Sequence, residues 1–296
     1  MDWDIRGKHC LVSGASSGIG REIALGLAKL GARVIMVSRD AGRGQIALDY
    51  VIGNSGNRAV ELMPADLSSQ SEVRGLAVRY RSKYDRLHVL INNAGIIRDK
   101  RELSADGIEM TFAVNYLAYF LLTNLLLGLL KDSAPARVVN LTSDIHRNAR
   151  LDFDNLQGEK KYGRDRIYAR SKLADIIFTN ELARRLEGTG VTANSVCPGA
   201  VSSNIWANSS KAVDYFFRIL IKGPKEGAKI PLYLASSAEV AHLSGKYFQT
   251  RQHLKLSKVE TQRSMRQSSA VTYNRDTAQR LWAISGALTG IAAETL

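Results

Sequence analysis

The stretch "HCLVSGASSGIGREIALGLAKLGARVIMVS", residues 9 to 38, decides the fold. Its ends, "HCLVS" and "RVIMVS", are short and apolar, as buried strands are, whereas "REIALGLAKLG" between them carries helical spacing. Strand, helix and strand in that order make the unit from which parallel sheets are built. The connection "SGASSGIG", Ser13 to Gly20, sets Gly14, Gly18 and Gly20 in a Gly-x3-Gly-x-Gly pattern. Glycines there let backbone approach a phosphate closely, and the free N–H groups of a helix start favour an anion. The pattern differs from the commoner Gly-x-Gly-x2-Gly, so taken alone it also fits a tight strand-to-helix turn.

The alternation continues outward through "VELMPAD" (60 to 66), "HVLINN" (88 to 93), "RVVNLTS" (137 to 143) and "VTANSVCP" (191 to 198). Amphipathic stretches such as "KLADIIFTNELARRLEG" lie between these runs. A parallel sheet with helices on both faces is predicted, with its ligand beyond the carboxyl ends of the strands. No Pro-rich, Ser-rich or single-sign charge run interrupts the 296 residues, so one domain is expected over 1–296.

With 45% hydrophobic and 23% charged residues the chain can bury a substantial core. Two cysteines, Cys10 and Cys197, cannot build a disulfide framework, and the five histidines have no metal-site spacing. A reducing, cytoplasmic setting without a bound metal is expected. The opening "MDWDIRGKHC" lacks the basic-then-apolar order of a signal peptide. The most lipid-like stretch, "YLAYFLLTNLLLGLL" from Tyr116 to Leu130, stops at 15 residues. A membrane span needs about 20, so this reads as a helix buried in the core or at the interface of a homodimer. The net charge of +13 is spread over "RDKR" (98 to 101), "KKYGRDR" (160 to 166) and 251 to 266, with no nucleic-acid motif around them. No nucleic-acid partner is expected; an anionic cofactor and peripheral contact with an anionic membrane both suit the charge.

Where the second strand ends, at "VSRD", an NAD site would place an acidic residue against the ribose hydroxyls. Ser38 stands there, followed by Arg39 and, a turn on, Arg43; guanidinium groups suit a 2′-phosphate. NADP(H) is favoured, and Asp40 leaves NAD(H) open. In "YARSK", Tyr168 and Lys172 lie one helical turn apart, so both can face one side. A tyrosine with pKa near 10 exchanges protons poorly at neutral pH, and a neighbouring ammonium favours the phenolate. Such pairs are common on helix surfaces, but this one has company. Ser143 ends the fifth strand 25 residues earlier, "LINNAG" ends the fourth, and "VCPGAVSS" follows the sixth.

In this order "SGASSGIG", "NNAG", "LTS", "YARSK" and "PGAVSS" resemble the pattern of the short-chain dehydrogenase/reductase family across positions 13 to 203. The resemblance implies a single-domain Rossmann-type doubly wound parallel sheet. It implies that Tyr168 is the general acid or base, that Lys172 binds the nicotinamide ribose and lowers the tyrosine pKa, and that Ser143 holds the substrate oxygen. Asn115, in "FAVNYLAYF", falls where the family supports a proton relay through water. The implied cofactor cradle starts with Gly14, Ser16, Ser17, Gly18, Ile19 and Gly20, then Ser38, Arg39 and Arg43. Asp66 falls at the adenine with Leu67 beside it, and Asn92, Ala94 and Gly95 line the cleft. Pro198, Gly199, Val201 and Ser203 complete it with Tyr168 and Lys172, Ser203 retaining the hydroxyl of the threonine common there.

"LDFDNLQGEKKYG", "YARSKLADIIFTNELARRLEGTGVTANSVCPGAVSS" and "AQRLWAISGALTG" are similar to the retinol-dehydrogenase-like branch, whose members use NADP(H) with retinoids, steroids or other lipophilic carbonyls. The resemblance implies an oxidoreductase interconverting a lipophilic aldehyde or ketone and its alcohol. The other readings are a secondary-metabolism ketoreductase and a silent NADP(H)-binding sensor or scaffold; the complete Asn115, Ser143, Tyr168 and Lys172 set argues against the silent one. Selectivity is expected in "NIWANSSKAVDYFFRILIKGPKEGAKIP", 204 to 231, which reads equally as a substrate lid, a membrane-surface helix or an amphipathic helix closing the core. The membrane-spanning N-terminus that many animal members carry is missing from this sequence, so a soluble or peripheral protein is expected.

Overall fold

The computed structural model describes residues 3–199, 223–249 and 265–292. Six strands fall where the apolar runs predict them: β1 (His9–Ser13), β2 (Arg33–Ser38), β3 (Val60–Pro64), β4 (Val89–Asn92), β5 (Ala136–Leu141) and β6 (Val191–Cys197). Two more, β7 (Tyr247–Gln249) and β8 (Met265–Arg266), extend the sheet to the order β3-β2-β1-β4-β5-β6-β7-β8. All pairs are parallel except β7 with β8, so the parallel sheet expected from the sequence carries one antiparallel pair at its edge. An antiparallel edge pair needs no crossover helix, so a two-residue strand suffices there.

The strand order reverses between β1 and β4, and seven parallel strands, β1 to β7, end on one side of the sheet. Their carboxyl ends therefore flank a crevice at the switch point, where open parallel sheets bind ligands.

Helices α1 (Gly18–Lys29) and α2 (Ala41–Ser55) follow the first two strands, and α3 (Gln70–Lys83) follows the third. A short α4 (Met110–Phe112) runs through a π-helical turn, Ala113–Leu117, into α5 (Ala118–Leu125) and α6 (Leu127–Asp132). Then come the long α7 (Arg164–Arg185), α8 (Pro224–Gly227), α9 (Lys229–Ser236) and α10 (Arg275–Thr289). Asp40, Ser69 and Asn274 cap α2, α3 and α10 through side-chain oxygens that accept N–H bonds of the first turn.

Alternate strand residues feed two cores. Cys10, Val12, Val89 and Ile91 pack with α1, α2 and α9; Leu11, Leu90 and Val138 pack with α3, α5, α7 and α10. This division is the period-two consequence of a sheet covered on both faces.

The apolar stretch Tyr116–Leu130 belongs to the second core. Phe120 packs 5.0 Å from the Trp282 ring and 5.5 Å from Phe178, and the Tyr116 hydroxyl lies 2.6 Å from Ser285 Oγ. Of the two expectations for it, burial in its own chain is the one found. No helix among the described residues is long and apolar enough to cross a membrane.

Candidate active site

The glycine turn is built by exclusion. Gly14 has φ +66°, and a Cβ there would sit 2.7 Å from Ala94 Cα, so the loop after β4 presses against the turn after β1. Ser13 and Asn93 stitch the two together: the Asn93 and Ala94 N–H groups donate to Ser13 Oγ at 2.9 and 3.1 Å, and Asn93 Nδ2 donates to the Ser13 carbonyl at 2.8 Å. Gly18 has φ +58°, and a Cβ there would meet nothing within 4 Å, so the turn is open on its outer side. Ser17, the N-cap of α1, makes no side-chain cap bond and no acidic residue occupies the first turn. Those helix-start donors, beside Ser16 and Ile19, have no carboxylate in their own first turn to compete for them, which suits an anion site.

At the end of β2, Ser38 is buried and its hydroxyl donates to the Asp40 carbonyl at 2.8 Å. Asp40 turns its carboxylate to the Arg43 backbone N–H at 2.7 Å, as the cap of α2. Arg39 and Arg43 are both exposed there. Asp66, just past β3, accepts from the Ser68 N–H and hydroxyl at 2.9 and 2.8 Å through one carboxylate oxygen, and Leu67 is buried beside it.

Asn92 is fully buried, and its side chain points beneath the crevice, where Nδ2 donates to Asn140 Oδ1 at 2.8 Å and Thr123 Oγ1 at 3.1 Å. Ala94, half-buried beside Gly95, accepts a hydrogen bond on its carbonyl from the Tyr119 hydroxyl at 2.7 Å. Pro198 and half-buried Gly199 follow β6, Gly199 with φ +83°. Val201, Ser203 and positions 204 to 222 of the selectivity segment lie outside the described residues.

The four predicted catalytic residues converge on the ends of β4 and β5. Asn115, fully buried in the π-helical turn, accepts from the Ile96 N–H at 2.8 Å and donates to the Ile96 carbonyl at 3.0 Å. Its Nδ2 also donates to Ser171 Oγ at 3.2 Å, and Ser171 donates to the Tyr168 carbonyl at 2.8 Å. Asn115 thus ties the loop after β4 to the helix that carries Tyr168, and π-turns of this kind concentrate at functional sites. The half-buried Ser143 begins the turn after β5 and hydrogen-bonds the Tyr168 side chain. Thr142 Oγ1 donates to the Lys172 carbonyl at 2.7 Å, and Lys172 Nζ donates to the Leu141 carbonyl at 3.0 Å, which locks this turn of α7 onto β5.

The electrostatics differ from the expectation that Lys172 draws the tyrosine down. Burial pushes the Tyr168 phenol well above its ordinary value, the nearby Cys197 and Asp175 push in the same direction, and Ser143 pulls the other way. Burial is the largest cause, and Asp175 adds to it. Its fully buried carboxylate takes the Lys172 ammonium at 2.9 Å, so that cation is already paired within the chain.

Three participants were not read from the sequence. Ser171 sat inside "YARSK" and Asp175 one turn beyond Lys172, so helical spacing was the available signal for both. His146, which is fully buried with Nδ1 2.7 Å from the Ser143 carbonyl and Nε2 2.8 Å from Ser268 Oγ, had no such signal, because its second partner is 122 residues away.

Residues 8–214 match the family model described as short chain dehydrogenase. Human retinol dehydrogenase 11 is 41% identical over 96% of this chain and 86% of its own length; mouse retinol dehydrogenase 12 is 41% identical over 98% and 89%. Among solved structures, a protein of Mycobacterium paratuberculosis superposes with TM-score 0.76 at 29% identity, over 98% of this chain and 96% of that one. A Pseudomonas aeruginosa RhlG/NADP active-site complex does so with TM-score 0.68 at 29% identity, over 84% and 97%. With the glycine turn, the asparagine loop and the Ser143, Tyr168 and Lys172 cluster at one crevice, the chain belongs to the short-chain dehydrogenase/reductase family, in its retinol-dehydrogenase-like branch.

Proposed function

We propose that this protein is an NADP(H)-dependent oxidoreductase, one domain in extent, that interconverts a lipophilic aldehyde or ketone and its alcohol. The observation that carries the reading is the joining of Ser143, Tyr168, Lys172 and Asn115 beside the open glycine turn. The donor set fits a dinucleotide: the uncapped start of α1 suits its phosphates, and Arg39 with Arg43 suits a 2′-phosphate, Asp40 being occupied as a helix cap. The complex of RhlG contains NADP, which agrees with this preference.

When bound, the cofactor supplies or accepts the hydride. Ser143 Oγ holds the carbonyl oxygen, and Tyr168 Oη gives it the proton it needs as the carbon receives hydride, or takes that proton back in oxidation. Lys172 holds the ribose with an N–H not used by Leu141 and Asp175, and Asn115 keeps the loop and α7 in register. The lipophilic substrate class follows from the relatives named retinol dehydrogenases, and we place its selectivity in 204 to 231.

Steady-state assay of a panel of retinoid, steroid and aliphatic carbonyls and alcohols with NADPH and NADH tests the reading. Turnover with NADPH above NADH is expected for at least one lipophilic carbonyl. Tight NADPH binding with no turnover on any member would replace the enzyme with a cofactor sensor.

A further inference from the structure

Lys172 has three N–H donors, and the chain already uses two of them. One goes to the Leu141 carbonyl at 3.0 Å and one to Asp175 Oδ2 at 2.9 Å. The Tyr119 ring closes another side, with its centroid 5.3 Å from Nζ. Asp175 has no exposed surface, and among the described residues its other oxygen, Oδ1, has no hydrogen-bond partner and Lys172 is its only ion-pair partner. A buried carboxylate with a single cation beside it is costly to keep, since each ion loses its water. Ion pairs on a helix surface need no such burial, so this one invites a role.

We infer that Asp175 is a positioning residue for the hydride-transfer site: it aims the remaining N–H of Lys172 at the crevice and offsets the ammonium's charge, so that the pair, not Lys172 alone, sets how readily Tyr168 yields its proton. The inference rests on the proposed function and deepens it.

The surroundings support this division. Tyr168 is faced by Ser143 from the turn after β5, by Cys197 from β6, by Tyr119 from α5, and by Asp175 from its own helix. Asp175 is faced by Lys172 on α7, by Tyr116 in the π-helical turn and by Tyr119 on α5. Burial pushes the Asp175 carboxyl up to about 7 even with Lys172 beside it, so the carboxylate charge is present in alkaline solution and fades toward neutrality. Near Tyr168 that charge raises the phenol; removing it lowers the phenol.

Two variants separate charge from position. Asp175→Asn keeps an oxygen to accept from Lys172 but carries no charge; Asp175→Ser keeps neither reach nor charge. In Asp175→Asn, the acid limb of the kcat profile for alcohol oxidation is expected to move to lower pH by about one unit, with the NADPH dissociation constant from fluorescence titration within about threefold of wild type. In Asp175→Ser, that constant is expected to rise about tenfold, while in a Lys172→Met background the same change leaves it unaltered.

A merely structural Asp175 would lower the melting temperature of both variants without moving the pH limb or the NADPH affinity. An acid limb for Asp175→Asn that coincides with wild type overturns the inference, and so does wild-type NADPH affinity in Asp175→Ser. If Asp175→Ser does not fold, the Asp175→Asn profile alone decides. Failure of the underlying reading looks different: wild-type protein itself would bind no NADPH or turn over nothing.

Discussion

At the scale of single residues, the proposed cofactor site is tested at two positions, one through space and one through charge. Gly14 holds a positive φ in a space that Ala94 already fills. Gly14→Ala is therefore expected to force the β1 and β4 loops apart, weakening NADPH binding at least tenfold and lowering the melting temperature; fluorescence titration and thermal denaturation check both. Arg39 is different in kind, being exposed, and the role proposed for it rests on its charge. A lost charge-assisted hydrogen bond costs about 1.5–3 kcal/mol, so Arg39→Ala is expected to weaken NADPH at least tenfold and leave NADH nearly unchanged. Equal losses for both cofactors would remove the 2′-phosphate assignment. That Ser143, Tyr168, Lys172 and Asn115 come together was legible in the sequence because each sits at a fixed place in a motif. What engages them was not. Whether a lysine's charge is free for a phenol depends on a carboxylate one turn away; helical spacing allows Asp175 that place, and zero exposure with a 2.9 Å contact shows it there.

Among the elements, α10 shows what distance along the chain conceals. The apolar Tyr116–Leu130 stretch allowed either a partner molecule or its own chain, since hydrophobicity says that a face must be covered and not by what. Trp282 supplies the cover: it is 3% exposed, edge-on to Phe120 at 5.0 Å, tilted against Phe178 at 5.7 Å, and under the Arg185 guanidinium. Truncating a buried aromatic of this size costs about 3–5 kcal/mol. Trp282→Ala is expected to destabilise by that amount in urea denaturation, a loss under about 1 kcal/mol being inconsistent with α10 as a packed element. By contrast, the strands β1 to β6 were each readable from short local runs, most plainly β1, β2 and β4, which are covered on both faces and apolar at most positions.

Over the whole molecule, the sheet must hold its strand order as pH changes, and one seam of it titrates. His88, just before β4, accepts the His9 backbone N–H of β1 on Nδ1 at 3.1 Å, which requires that nitrogen to be unprotonated. Burial, with Lys8, His9 and Arg86 nearby, lowers its pKa to about 4, against about 6.5 for a free histidine. A depressed folded-state pKa means that the folded state binds fewer protons than the unfolded one. Its stabilising contribution is therefore present above about 6.5 and lost as pH falls toward 4. His88→Asn is expected to show a smaller drop in melting temperature between pH 7 and 5 than wild type; an identical drop would assign the acid sensitivity elsewhere.

The claim on which all three scales converge is that Tyr168 moves the proton that accompanies hydride. A single-turnover experiment reads it most directly: oxidation of pre-bound NADPH by the best carbonyl of the panel, in wild type and in Tyr168→Phe, with NADPH affinity measured in parallel. A general acid contributes roughly 10²–10⁴-fold, so Tyr168→Phe is expected to slow the step by at least about a hundredfold while binding NADPH within a few-fold of wild type. A rate within tenfold of wild type, with the cofactor bound, would contradict the account.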